Sequence, residues 1–305
     1  MLRPTCAFNS SVSHSLPSCF QQHFYFMSRL STLLHYQLHS SVQAFSTTRI
    51  SPFPLTEQEM DDMGSYAAFN VTHYCGDSPE RVTRNRQWLA AQLDIMPSQL
   101  WLPRQTHTDH IACIDRAFLS LPQDEQLRAL EEVDALVTDQ LEQCIGVSTA
   151  DCIPILLFDA NKRVAAAIHA GWRGTIKHIV AKTLRLMQQR YGTSPTEVVA
   201  QLGPGISSAA YEVGEEVASL FAAPEAGFPS AVVSYPSVSS NASVSPRPHL
   251  DLQAANVFLL EEGGVPLDQI RVSPFCTFTH SDSFFSARRL GIQSGRIYSA
   301  IMMHE

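Results

Sequence analysis

Residues 153–158 (IPILLF) and 164–169 (VAAAIH) are apolar at almost every position, whereas a strand with one wet face would alternate. Strands of this kind need cover on both sides, which commits the chain to a layered fold with an enclosed sheet. Residues 135–138, 146–148 and 198–202 read as further strands of the same sheet core. Between the 164–169 and 198–202 runs, residues 176–190 place Ile176, Ile179, Val180, Thr183, Leu184 and Met187 along one helical face, a suitable cover. Residues 81–93 carry Val82, Trp88, Leu89 and Leu93 at helical spacing behind the start signal Ser78-Pro79-Glu80, which predicts a surface helix. Towards the end, residues 252–262 predict a helix stopped by Gly263-Gly264, and residues 270–273 and 296–303 predict closing strands. Short apolar runs interleaved with helical segments place the chain in the α/β (α+β) class as a single domain.

The 305 residues, 45% hydrophobic and 16% charged, suffice for a large buried core. Residues 1–42 stand apart: they hold nine Ser and no Asp or Glu, and their only basic residues are Arg3 and Arg29. They read as an N-terminal extension, disordered or transit-like, with the domain proper spanning 43–305. Residues 229–248, rich in Ser, Pro and Val, read as a long surface loop with an edge strand through 231–234. A net charge of −8 gives no general attraction to nucleic acid or an anionic membrane, and no run of eighteen apolar residues occurs. A small-molecule substrate is the expectation. The seven scattered cysteines form no CxxC pair and fit reduced thiols, hence a cytoplasmic protein, or an organellar one if residues 1–42 are a transit peptide.

Three segments present a potential metal ligand where a strand meets a loop: RQTH ending at His107, TADC ending at Cys152, and IHAGWRG beginning with Ile168 and His169. Gly171 and Gly174 bracket Trp172 and Arg173 and permit close backbone approach to a ligand. Each residue alone reads more readily as core packing, and the spacing matches no local metal motif, so the metal reading requires distant segments to converge. If they do, two imidazoles and a thiolate form a three-ligand set with a fourth position open, suited to catalytic zinc. The same His2Cys set also serves copper.

The segments AFSTTR (44–49), FNVTHYCGDSPERVTRNRQWL (69–89), RQTHTDHI (104–111), DALVT (134–138), STADCIPILLFD (148–159), AAIHAGWRGT (166–175), LGPGISSAAYEVG (202–214), HLDLQAAN (249–256) and CTFTHSDSFFSARRLGIQSGR (276–296) occur in this order. Together they resemble the YfiH-type laccase-domain family, described as purine nucleoside phosphorylases and earlier as polyphenol oxidases. The resemblance implies a layered sandwich of mixed sheets flanked by helices, with catalytic zinc held by His107, Cys152 and His169. It also implies phosphorolysis of adenosine, inosine and methylthioadenosine, together with adenosine deamination. Three places depart from the family pattern: Ile50-Ser51 after Arg49, Thr108 in place of a glycine, and Ala287-Arg288-Arg289-Leu290 in place of a YRRD-like element.

Arg49, His73, Gln105, Arg288 and Arg289 lie in the matching segments and are candidates for contacting phosphate or ribose, with structural pairing as the alternative. Asp151 is a candidate to orient a ligand or cap a turn, and Trp172 to stack on a base or simply pack. Two other activities fit the same residues. One is a copper-dependent polyphenol oxidase. The other is a hydrolase of amides with Cys152 as nucleophile and His169 or His107 as its base.

Overall fold

The computed structural model describes residues 30–236 and 246–305, and places the apolar strands inside. Strands Ile153–Asp159 and Val164–Ala170 are buried at every position and pair antiparallel within a six-stranded sheet. That sheet runs in the order Ile270–Val272, Val198–Leu202, Ile153–Asp159, Val164–Ala170, Ala135–Thr138, Ile111–Cys113. The pleat sends alternate side chains to opposite faces. Ile153, Ile155, Leu157, Ala166 and Ile168 pack against Val180, Leu184 and Met187 of helix Ile179–Tyr191 and Leu259 of helix Leu252–Glu262. Leu156, Phe158, Ala165 and Ala167 face the other way, onto Ala44, Ile145, Val147 and Ile301 of a second sheet. Each large side chain enclosed in this way contributes about 1.5–3 kcal/mol, which is why neither face tolerates alternation with polar residues.

The second sheet has five strands in the order Leu33–Tyr36, Val42–Thr47, Ile297–Met303, Cys144–Thr149, Leu100–Trp101. Its outer face, through Phe45, Tyr298 and Ala300, is covered by Leu89 and Ala90 of helix Pro79–Gln92. Ser78 caps that helix, its hydroxyl accepting from the Arg81 amide, and Pro79 opens it, as the sequence predicts. The layers are therefore helix, sheet, sheet, helix. A further two-stranded ribbon pairs Val233–Ser234 with His249–Leu250. No helix among the described residues is long and apolar enough to cross a membrane.

Three expectations shift. Strand Leu33–Tyr36 pairs with Val42–Thr47, and the compact unit begins at Ser31, so the domain starts earlier than residue 43; residues 1–29 of the expected extension lie outside the described residues. The helix expected over 176–190 begins only at Ile179. Ile176 ends a separate short helix, Trp172–Ile176, and His178 between them takes the left-handed φ of 58°, which no continuous helix allows. Within 229–248 the strand is confined to Val233–Ser234, after a single turn over Ser230–Val232, and residues 237–245 lie outside the described residues.

The chain crosses between the two sheets at two places that matter below. One crossing joins Leu100–Trp101 to Ile111–Cys113, the other Cys144–Thr149 to Ile153–Asp159.

Candidate metal centre

Each crossing carries one potential ligand, His107 on the first and Cys152 on the second, while His169 lies near the end of strand Val164–Ala170. The three segments converge. One donor atom from each residue lies within 4.8 Å of the others, with Cys152 Sγ 3.8 Å from His107 Nε2. The two imidazoles meet nearly edge to face, centroids 4.8 Å apart. His169 is buried, Cys152 half-buried and His107 exposed, so the group is open on the His107 side. His107 reaches this position from a left-handed backbone, φ 63°.

Asp134, the residue before strand Ala135–Thr138, organises the group from behind. Its fully buried carboxylate lies 2.6 Å from His169 Nδ1. That contact leaves Nε2 as the ring nitrogen available to the centre. The same carboxylate accepts from the backbone amides of Thr106 at 3.3 Å, His107 at 3.1 Å and Thr108 at 2.7 Å. One anion thus fixes two of the three candidate ligands. Thr108, where the family pattern has glycine, adds a tie: its hydroxyl is 2.8 Å from both Asp134 Oδ2 and the Glu132 carbonyl and donates to one at a time.

The electrostatics suit a thiolate. Burial pushes the Cys152 thiol up, but the imidazoles of His169 and His107 outweigh it and bring it down to about 6. Burial likewise opposes charge on His169, and the Cys152 thiolate and Asp134 overcome it, raising the imidazole to about 10. Burial also raises Asp134, yet its bonds to His169 and Thr108 hold it at about 2.

Gly171 makes room for the Cys152 and His107 side chains to meet. A Cβ there would fall 2.9 Å from Cys152 Sγ and 3.0 Å from His107 Cδ2. Two imidazoles, a thiolate, a carboxylate behind one imidazole and an approach kept clear by glycine fit a borderline-soft metal with an open coordination position. We expect Gly171→Ala to weaken metal affinity about tenfold, since displacing ligands by a fraction of an ångström is costly at such sites. Chelator competition would show it, and unchanged affinity would mean that the glycine serves only the turn.

Residues 56–304 match the sequence model of a family described as multi-copper polyphenol oxidoreductase laccase. The chain belongs to that family. Among its relatives, a purine nucleoside phosphorylase of Bacteroides thetaiotaomicron is 43% identical over 260 residues, covering 85% of this chain and 94% of that protein. Adenosine deaminase RL5, from an unknown prokaryotic organism, is 41% identical over 260 residues, covering 85% of this chain and 93% of that protein. YlmD from Geobacillus stearothermophilus superposes with a TM-score of 0.75 at 26% identity, covering 92% of this chain and 99% of that one. The hypothetical protein YfiH of Bacillus licheniformis shares the fold, with a TM-score of 0.74 at 24% identity, covering 89% and 96%. The layered sandwich implied by the family resemblance is the architecture found.

A cavity of about 340 Å³ opens onto the centre of this laccase-family chain, lined besides His107, Cys152 and His169 by Tyr74, Gln105, Ser148, Thr149, Ala150, Ala287, Ile292 and Arg296. Gln105 lies in its wall, but its amide is occupied: Nε2 donates to the Ser148 carbonyl at 2.8 Å, and Oε1 accepts from the Ser148 amide at 2.7 Å and Tyr74 Oη at 3.2 Å. It braces the first crossing against strand Cys144–Thr149. The other substrate candidates lie outside this lining. Arg49 donates to the Ala67 and Ser281 carbonyls beside a different hollow, shared with Phe53 and Asp282. His73 lines a third, with Arg86 and Trp101.

Arg288 and Arg289 are exposed, with the Arg288 guanidinium over the Tyr211 ring at 5.4 Å and that of Arg289 over Phe278 at 5.3 Å. Asp151 holds the Arg288 amide at 2.7 Å and the Thr277 hydroxyl at 2.6 Å, so it anchors neighbouring loops to the Cys152 turn and orients no ligand directly. Arg173 covers the Trp172 ring at 4.3 Å. Sequence reasoning missed Asp134, Tyr74 and Arg296. Asp134 offered one signal, an acid opening an otherwise apolar run.

Proposed function

We infer that this protein is a zinc-dependent purine nucleoside phosphorylase, cleaving adenosine, inosine and methylthioadenosine with phosphate to free base and (methylthio)ribose 1-phosphate. The convergence of His107, Cys152 and His169 at a cavity within the usual size range of small-molecule sites carries this reading. The name of the Bacteroides relative supports the substrate class, and that of RL5 supports adenosine deamination as a second reaction.

His107, Cys152 and His169 would hold the ion, which supplies Lewis acidity and an organising centre for oxygen ligands. Asp134 keeps His169 aimed and its loop closed. Gln105 and Tyr74 stiffen the polar wall against which the ribose packs. Arg288, whose amide Asp151 holds beside the Cys152 turn, and its neighbour Arg289 are exposed and cationic and would attract phosphate towards the cavity from outside its lining. Zinc is favoured over copper because His107, Cys152 and His169 form the one such ligand group among the described residues, while reducing oxygen by four electrons needs several coppers.

The test is chromatographic. Metal-quantified protein incubated with inosine should release hypoxanthine and ribose 1-phosphate only when phosphate is present, lose that activity to a chelator and regain it with zinc. No base release from folded, zinc-loaded protein would overturn the reading. It would bring forward a Cys152 hydrolase acting on amides, for which the Asp134, His169 and Cys152 arrangement is also suited.

A further inference from the structure

The most exposed large apolar side chain among the described residues, Ile292 at 81%, lies on the rim of the metal cavity. It is held there by design of the loop. Helix Ala287–Leu290 stops at Gly291, whose φ of 89° turns the chain outward. The Arg296 guanidinium then gathers the carbonyls of Ile292, Ser294 and Gly295 at 2.8, 2.6 and 2.9 Å. Ser294 Oγ closes back onto the Gly291 carbonyl at 2.7 Å, and the Gly295 amide donates to the Ser65 carbonyl at 3.2 Å. A loop tied at this many points does not expose isoleucine by default, and an apolar group fixed at the mouth of a site gains by being covered.

We propose that Ile292, with Ala287 beside it, is the platform on which the purine base lies, with the ribose directed inward. This rests on the nucleoside reading above. The inner wall is polar and carries Tyr74, Gln105 and Ser148, whereas Ile292 and Ala287 give the rim its apolar surface. A flat heteroaromatic ring matches the rim, and a hydroxylated sugar matches the wall. Because neither Ile292 nor Ala287 carries a hydrogen-bonding side-chain group, a base at the rim is met by its faces rather than by its edge. The site should therefore accept adenine and hypoxanthine nucleosides with similar KM, and Ile292 is the specificity-determining contact for purine as a class.

Two readouts separate this proposal from the reading beneath it. In phosphorolysis of inosine, Ile292→Ala should raise KM about tenfold with kcat within about twofold, and Ile292→Leu should restore most of the loss. Zinc content and Tm should not change, since the side chain packs on little in the free protein. The second readout needs no turnover: with phosphate absent, inosine is titrated into protein carrying 13C-labelled isoleucine δ1 methyls, the Ile292 signal being identified by its loss in Ile292→Leu. Ring current from a base above it should move that signal upfield and saturably. An unmoved methyl, or an unchanged KM in Ile292→Ala, overturns the proposal even if phosphorolysis is observed. A shifted methyl without phosphorolysis upholds the base platform while the phosphorylase reading falls.

Discussion

Cys152→Ala should purify as a folded protein without stoichiometric zinc and should release base from inosine about a thousandfold more slowly than wild type. The substitution leaves two imidazoles, too few to close a protein-held zinc site. The ion's contribution to transition-state stabilisation, several kcal/mol, goes with it, and about 4 kcal/mol corresponds to that rate loss. The fold should survive, because Cys152 is half-buried at a turn and its removal vacates little volume. Metal analysis and rate measured on the same sample decide the matter: full zinc with full activity would remove Cys152 from the centre. Alkylation gives the complementary result. Burial raises the thiols of Cys75 and Cys113, whereas Cys152 is brought down to about 6, so in chelated wild type Cys152 should be labelled ahead of those two, and zinc should protect it while leaving the labelling of Cys276, a buried thiol lowered by its bonds to Ser207, unchanged. A nucleophilic, metal-free cysteine would show no such protection.

Asp134→Asn is the second large effect, and it acts without touching the metal. The asparagine fits the space but removes the charge that faces His169 Nδ1 and the amides of Thr106, His107 and Thr108. Hydrogen bonds to a charged acceptor are worth about 1.5–3 kcal/mol each against roughly 1 for neutral ones. We expect zinc affinity to fall 10- to 100-fold, in line with the loss of other carboxylates behind metal-bound histidines. The apoprotein should melt several degrees lower, as a deficit of about 2 kcal/mol implies for a chain of this size. The control is Asp109→Asn in the same loop, whose carboxylate pairs with Lys177 and Lys182 and faces away from the ligands. Equal losses in the two variants would make Asp134 an ordinary structural acid.

How much of this was legible in the sequence depended on range. The strands at 153–159 and 164–170 announced themselves because burial on both faces leaves no polar position, and that pattern is local. Strands Leu100–Trp101 and Ile111–Cys113 did not, since each is short and owes its conformation to partners far away in the chain, and Leu33–Tyr36, though it pairs with its neighbour Val42–Thr47, is only four residues long and sits within the Ser-rich leader. The break at His178 was hidden for a related reason: a single left-handed residue leaves the apolar period on either side intact. At the site, the ligand types and Gly171 were readable, because a histidine ending an apolar strand beside a glycine is an unusual pairing. Their convergence was not, since it depends on the chain passing twice between sheets. Asp134 stood in plain view in DALVT, yet only the fold reveals that its carboxylate faces His169 and the 106–108 amides together.

The place of strand Ile297–Met303 has a consequence for how the protein comes into being. It lies inside the five-stranded sheet, between Val42–Thr47 and Cys144–Thr149, and its Ile297 sits opposite Thr149, three residues before Cys152. During synthesis, everything from the first strand to the second crossing emerges from the ribosome long before the strand that unites it. The nascent chain must wait with the edges of that sheet unpaired, a state in which strands readily find wrong partners. The candidate metal centre, which follows the end of Cys144–Thr149, is then among the last features to become rigid. Zinc arriving during this interval would meet a cysteine and two histidines not yet held in register, so loading should follow completion of the chain rather than guide it.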